Sequence, residues 1–149
     1  MEQEYIFLKL GDIKGKSTSE KFPDQIVLQN VSYGISQGGH WEEKEVHSGR
    51  ITTFTDLSCV KLLDAASPAL STACALKTQY DDAVISVTSG TKDAYYKLSL
   101  EKVIITSIHT SISGGEALPQ ESFNISFRKG TWEYGTAKGG YDLEKNKKV

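Results

Sequence analysis

Apolar side chains recur along this chain mostly at every second position, which places alternate residues on one buried side of a sheet. Ile6, Leu8 and Leu10 share a face of the first such segment. Ile26 and Leu28 do so in the second, where Val27 and Val31 line the other side and predict a strand covered on both. Further strands are predicted over 51–57, 83–88, 94–101, 103–110 and 121–127. In the last, Phe123, Ile125 and Phe127 alternate against Ser122, Asn124, Ser126 and Arg128. The turn between the final two comes from Ser113, Gly114 and Gly115.

One helix interrupts this rhythm. Ser67 is placed to cap it, Pro68 suits the first helical position, and Leu70, Ala73 and Cys74 fall at i, i+3 and i+4, so helix is predicted from Pro68 to Lys77. Its apolar stripe is narrow and made of small residues, which fits close packing against a sheet. The polar run from Trp41 to Arg50 reads as a long exposed loop or protruding hairpin, with Trp41 either a local packing anchor or a partner contact. The predicted fold is mostly β, a two-sheet β-barrel or sandwich with one short flanking helix and a long protruding loop.

At 149 residues the chain forms one domain, large enough to bury a core without staples. Seventeen basic and nineteen acidic residues give a net charge of −2, without the basic excess that a nucleic-acid partner requires. The start, Met1-Glu2-Gln3-Glu4, is acidic where a secretory signal is basic, and no apolar run approaches a membrane span. Export, if it occurs, is expected to use no cleavable signal. Cys59 and Cys74 have neither metal-site nor disulfide-framework spacing and read as reduced, buried thiols.

Chemical motifs are weak. Gly11 to Ser17 ends in Gly-Lys-Ser but is one residue short of a phosphate-binding loop, and Pro23 soon follows where that loop needs a helix. Gly34-Ile35-Ser36-Gln37-Gly38 matches the Gly-x-Ser-x-Gly elbow of serine hydrolases, and Asp56 or Asp64 with His109 nominally supply the remaining order. The alternating strand and helix units of that fold are missing. His40, His47 and His109 lack metal-ligand spacing, so no metal, cofactor or catalytic residue is assigned, and His109 reads as structural. Asn30 and Asn124 begin sequon matches but lie in predicted strands.

The ordered segments carry more. They run from Gly11-Asp12 through Gly15 and Ser17, Tyr33-Gly34, Leu57 to Cys74, Ser111 to Glu116, Pro119 and Glu121, and Trp132 and Tyr134, to Gly140-Tyr141-Asp142-Leu143. In this order and spacing the chain resembles the Hcp family, the haemolysin-coregulated tube proteins of bacterial type VI secretion systems. Lys16, Tyr33 and Gly130 depart from the residues usual there. The resemblance implies a β-barrel protomer with a flanking helix, no enzymatic activity, and homohexameric rings stacked into a hollow tube inside contractile sheath proteins. It further implies a trimeric spike protein at the tip, small effector proteins in the lumen, and expulsion from the cytoplasm to the outside or a target cell. Ser32 would face the lumen. Gln37, Trp41, Glu43 and Arg50 in the loop, and Tyr141, Asp142 and Leu143 in the tail, would contact neighbouring protomers or rings. The alternatives are a tail-tube protein of a phage-like contractile injection system, a small-ligand-binding β-barrel and a serine hydrolase.

Overall fold

A computed structural model describes residues 3–38, 41–42, 45–46, 51–145 and 147–149. The chain opens with β1 (Glu4–Leu10), β2 (Ile26–Leu28) and β3 (Asn30–Ser32). An arm follows, made of β4 (Ile35–Gly38), β5 (Trp41–Glu42), β6 (Glu45–Val46) and β7 (Ile51–Phe54). Then come β8 (Leu57–Leu62), α1 (Ser67–Leu76), β9 (Gln79–Ser89), β10 (Ala94–Ser111) and β11 (Gln120–Ser126). The chain ends with β12 (Lys129–Tyr134), β13 (Ala137–Asp142) and β14 (Lys147–Lys148).

One ten-stranded antiparallel sheet forms the body and rolls around a single core. Its centre is β10, which pairs with β9 and β12 through its first half and with β11 through its second. The two strands expected over 94–101 and 103–110 are therefore one. Lys102, at φ 55°, and a bulge between Ile105 and Ser107 bend it instead of ending it. At the far margin β1 pairs with β2 while β8 pairs with β3, and Gln29 lies between β2 and β3 in the chain. The ladder is thus not closed into a barrel, which corrects that half of the expected architecture.

The inside of the roll is filled by Leu8, Leu10, Ile26, Leu57, Leu100, Phe123, Ile125 and their neighbours. On β1, Phe7 points the other way and is covered by the stacked ring of Phe22, with centroids 4.8 Å apart. The loop carrying Phe22 doubles back on itself ahead of β2, the Gly15 amide donating to the Asp24 carbonyl at 2.8 Å. A Cβ on Gly15 would collide with the backbone of Gln25 and Ile26, so this loop needs glycine for close chain approach. The Gly11 to Ser17 motif is a packed strand connection followed by β2, with no helix to face an anion.

Helix α1 packs against β10 through Leu70 and Ala73. It ends where Lys77 adopts φ 52° and its amide reaches back to the last carbonyls, a left-handed cap. Its start differs from expectation. Ala66 occupies the N-cap position without a side-chain cap, and the Ser67 hydroxyl instead accepts hydrogen bonds from the Lys61 ammonium and the Asp64 amide, both at 3.0 Å.

Candidate functional site

Strand register builds a second surface on the outside of the roll. Because Val31, Cys59, Phe123 and Ile108 point inward, the residues between them point out. Two rows run across four strands: Ser32, Ser58, Asn124 and Ser107, then Asn30, Val60, Ser122 and His109. Neither row contains an Asp, Glu, Lys or Arg. The side chains are short and mostly hydrogen-bonding, a flat face suited to lying against water or another polar surface. Ser32 is exposed at its edge, and Asp56 marks the rim, accepting from the Thr106 hydroxyl at 2.7 Å.

The arm is fastened elsewhere. Strand β4 pairs with β7, and β5 with β6, so the run after Gln37 contains hairpin pairing. At its base Gly34 and Thr55 exchange backbone and hydroxyl hydrogen bonds, and the Tyr33 and Tyr96 hydroxyls share a short one. Burial, followed by that hydrogen bond, pushes the Tyr96 phenol upward. Phe54 anchors the arm to the body, packing edge-on to Phe127 at 5.4 Å and tilted against Tyr141 and Trp132 at 5.9 and 6.1 Å. This packing also accounts for Gly130, where a Cβ would sit 3.1 Å from the Phe127 ring.

The expected contact residues fall into three groups. Gln37 and Tyr141 are brought together through Thr52, whose hydroxyl accepts from the Gln37 amide at 3.2 Å and donates to the Tyr141 hydroxyl at 3.3 Å. Asp142 and Leu143 continue from Tyr141. Asp142 accepts from the Lys145 amide at 3.0 Å, a bond that holds its carboxyl below the usual value, and Leu143 is half-buried against the core. Glu43 and Arg50 lie outside the described residues, as do His40 and His47, and Trp41 is described only by its backbone pairing with Val46. Ser32 belongs to the separate outer face.

Ser36 lies within β4 opposite Thr53, so Gly34 to Gly38 is a strand and lacks the strand-to-helix turn of a nucleophile elbow. Among the described residues no ligand-binding interior is formed, because the roll is packed with core side chains. An open groove of about 680 Å³ lies outside it, between Tyr5, Phe7 and the 16–21 loop. Cys59 is buried, which pushes its thiol up to about 12; Cys74 is half-buried and also free.

Sequence reading missed one buried cluster. Lys61 is wholly buried, with its ammonium 3.0 Å from Glu121, 2.9 Å from Asp64 and 3.0 Å from Ser67. Thr110 donates to the other Glu121 oxygen at 3.2 Å. The signal was present: Lys61 continues the inward phase of Leu57 and Cys59, Glu121 begins that of Phe123 and Ile125, and the two are direct register partners. The cluster ties α1 to the sheet.

The outer face on the remaining half of the sheet is different in kind. Glu101 pairs with Lys129 at 3.1 Å, Glu133 with Lys138 at 3.7 Å, and Lys102 with Glu144 at 2.7 Å. The last pair shifts both partners, Lys102 upward and Glu144 downward, through their mutual hydrogen bond.

Comparison with known proteins points in one direction. A family described as "Type VI secretion system effector, Hcp" matches residues 7–134. The chain is 26% identical over 155 aligned positions to "Protein hcp1" of Pseudomonas aeruginosa, an alignment spanning 95% of this chain and 96% of that protein. Its fold is similar to the crystal structure of Hcp1 from Salmonella typhimurium, with a TM-score of 0.86, 28% identity and 100% coverage of both chains. Hcp2 from the same organism gives a TM-score of 0.75 at 27% identity, covering 96% of this chain and 98% of that one.

Proposed function

The chain belongs to the Hcp family of type VI secretion proteins and is a tube subunit of such a system, and we propose that it closes into hexameric rings whose channel is lined by the uncharged Ser32 face. The observation that supports this division is the separation of surfaces: Ser32 lies on the outer Ser and Asn rows, while Gln37 and Tyr141 are gathered at the base of the arm. A cyclic assembly needs two complementary patches that differ from each other, and ring-on-ring stacking needs a further pair. The arm from Gln37 to Arg50, with Trp41 and Glu43, and the tail residues Tyr141, Asp142 and Leu143 supply those contacts.

In this reading the stacked rings fill a contractile sheath, carry a trimeric spike and hold small effector proteins against the Ser32 face. The tube leaves the cytoplasm with its cargo. Its work is mechanical and the chain performs no catalysis. Ser36, within a paired strand, is not presented as a nucleophile.

The test is Ser32→Gln, measured by ring mass and by the amount of effector protein that co-purifies. The expected result is an unchanged ring that retains less cargo. Unchanged cargo in an intact ring would remove Ser32 from the channel.

A further inference from the structure

Among the described residues, Lys61 and Glu121 are the charged residues buried in the core, and they face each other across β8 and β11. A buried pair of this kind adds little stability over apolar side chains of the same size, because both charges give up water. The pattern of β8 shows what it adds instead. The strand presents Leu57, Cys59 and Lys61 inward and Ser58, Val60 and Leu62 outward. By apolar content alone the outward set has as good a claim to the core. A pairing shift of one residue would exchange the two sets, and a shift of two would keep the faces but slide Ser58 along β11, away from Asn124.

The cluster opposes both shifts. In the native register the Lys61 ammonium reaches Glu121 at 3.0 Å, Asp64 at 2.9 Å and Ser67 at 3.0 Å. A slip of two residues carries Lys61 and Glu121 about 7 Å apart along the strands and leaves both buried without each other, the arrangement that costs most. A slip of one turns Lys61 outward and leaves Glu121 inside with only the Thr110 hydroxyl. Contacts among Leu57, Cys59, Phe123 and Ile125 are non-directional and discriminate far less.

We infer that Lys61 and Glu121 are the register pin of β8, positioning residues that decide which side chains of this strand reach the outer face. The row of Ser32, Ser58, Asn124 and Ser107 exists only in this register. Its use as a channel wall rests on the proposed ring; the pin itself does not.

Cross-strand disulfides read the register directly. In a Cys74→Ala background, with buried Cys59 left in place, Ser58→Cys is combined in turn with Asn124→Cys, Ser122→Cys and Ser126→Cys and equilibrated in glutathione buffer. Directly opposed positions lie within disulfide reach, whereas diagonal ones, about 7–8 Å away, do not. With the pin intact, the bridge between positions 58 and 124 should be favoured at least about tenfold over either alternative. Lys61→Met with Asp64→Asn and Glu121→Leu removes the charges together. It should be more stable than Lys61→Met alone, yet its preference should fall at least about fivefold, or Cys59 should become reactive to a thiol reagent without urea. Lys61→Arg should restore the preference. A folded triple variant that keeps both the preference and a protected Cys59 overturns the inference. Should that variant fail to fold, Glu121→Gln gives the same reading at about a twofold fall, and no fall overturns it. The bridges form within one chain, so light scattering on the same samples separates the two claims. A monomer with the expected preferences refutes the ring and leaves the pin standing, whereas a ring whose preference survives loss of the charges does the reverse.

Discussion

The two halves of β10 share an inward side and differ outward. From Ala94 to Glu101 the inward residues Leu98 and Leu100 enter the core while Lys97 and Glu101 face charged partners on β12. After the bend at Lys102, Val103, Ile105 and Ile108 continue the same core, yet the outward residues become Ser107 and His109, opposite Asn124 and Ser122. The fold demands only the inward pattern. Outward chemistry is left to solvent and partners, so a change from charged to neutral along one continuous strand marks surfaces with different tasks.

The largest effect is expected where the inward rule is broken. Lys61→Met leaves Glu121 and Asp64 buried without their cation and should lower unfolding free energy in urea by about 3–5 kcal/mol. Lys129→Met, on the charged outer half, should change it by less than about 1 kcal/mol, because its pair with Glu101 is exposed. Equal losses would erase the distinction between the two kinds of ion pair.

Phe54→Ala comes next. It removes the ring that joins the arm to Phe127, Trp132 and Tyr141, and should cost about 2 kcal/mol, less than a fully buried phenylalanine. Ring assembly should weaken more than folding does, read as a higher protein concentration for the multimer by light scattering. Intact assembly with lost stability would show that the arm's position is irrelevant to contacts.

The smallest effect is a pH response confined to the charged half. Asp142 and Glu144 are held below their ordinary values of 3.8 and 4.5, by the Lys145 amide and by Lys102 respectively. Their contribution is therefore present above about pH 4.5 and fades as pH falls through the lowered values. Lys102 is raised above 10.5, so its share persists below that pH and disappears as pH rises beyond it. The protection factor of the Lys145 amide, its exchange rate relative to an unfolded chain at the same pH, should fall in acid before those of the β11 amides; simultaneous loss would tie the tail to global unfolding.

Much of this was readable in the chain because alternation reports burial directly. Ile6, Leu8, Leu10, Phe123 and Ile125 lie where their spacing placed them, and α1 differs by one residue at each end from its expected bounds. The β12–β13 hairpin was not predicted as strand: Gly130, Gly139 and Gly140 dilute the pattern, and its aromatic residues Trp132 and Tyr141 pack on Phe54, which is distant in sequence. Whether the ladder closes depends on how the 26–32 run divides between β1 and β8, a long-range pairing that no local signal encodes. Lys61 and Glu121 escaped notice because charge alone reads as surface, whereas their shared phase on adjacent strands identifies a buried pair. The outer face followed from register, since Ser32, Ser58, Asn124 and Ser107 come from four separated segments. The contact roles of the arm and tail rest on resemblance, as contacts between copies leave no periodic trace in one chain.

The central claim is that this chain closes into a ring, and its solution mass by light scattering behind size exclusion tests that most directly. Six times 16.4 kDa, about 98 kDa, is the mass the tube account predicts. A clean 16.4 kDa species across the accessible concentration range would contradict it.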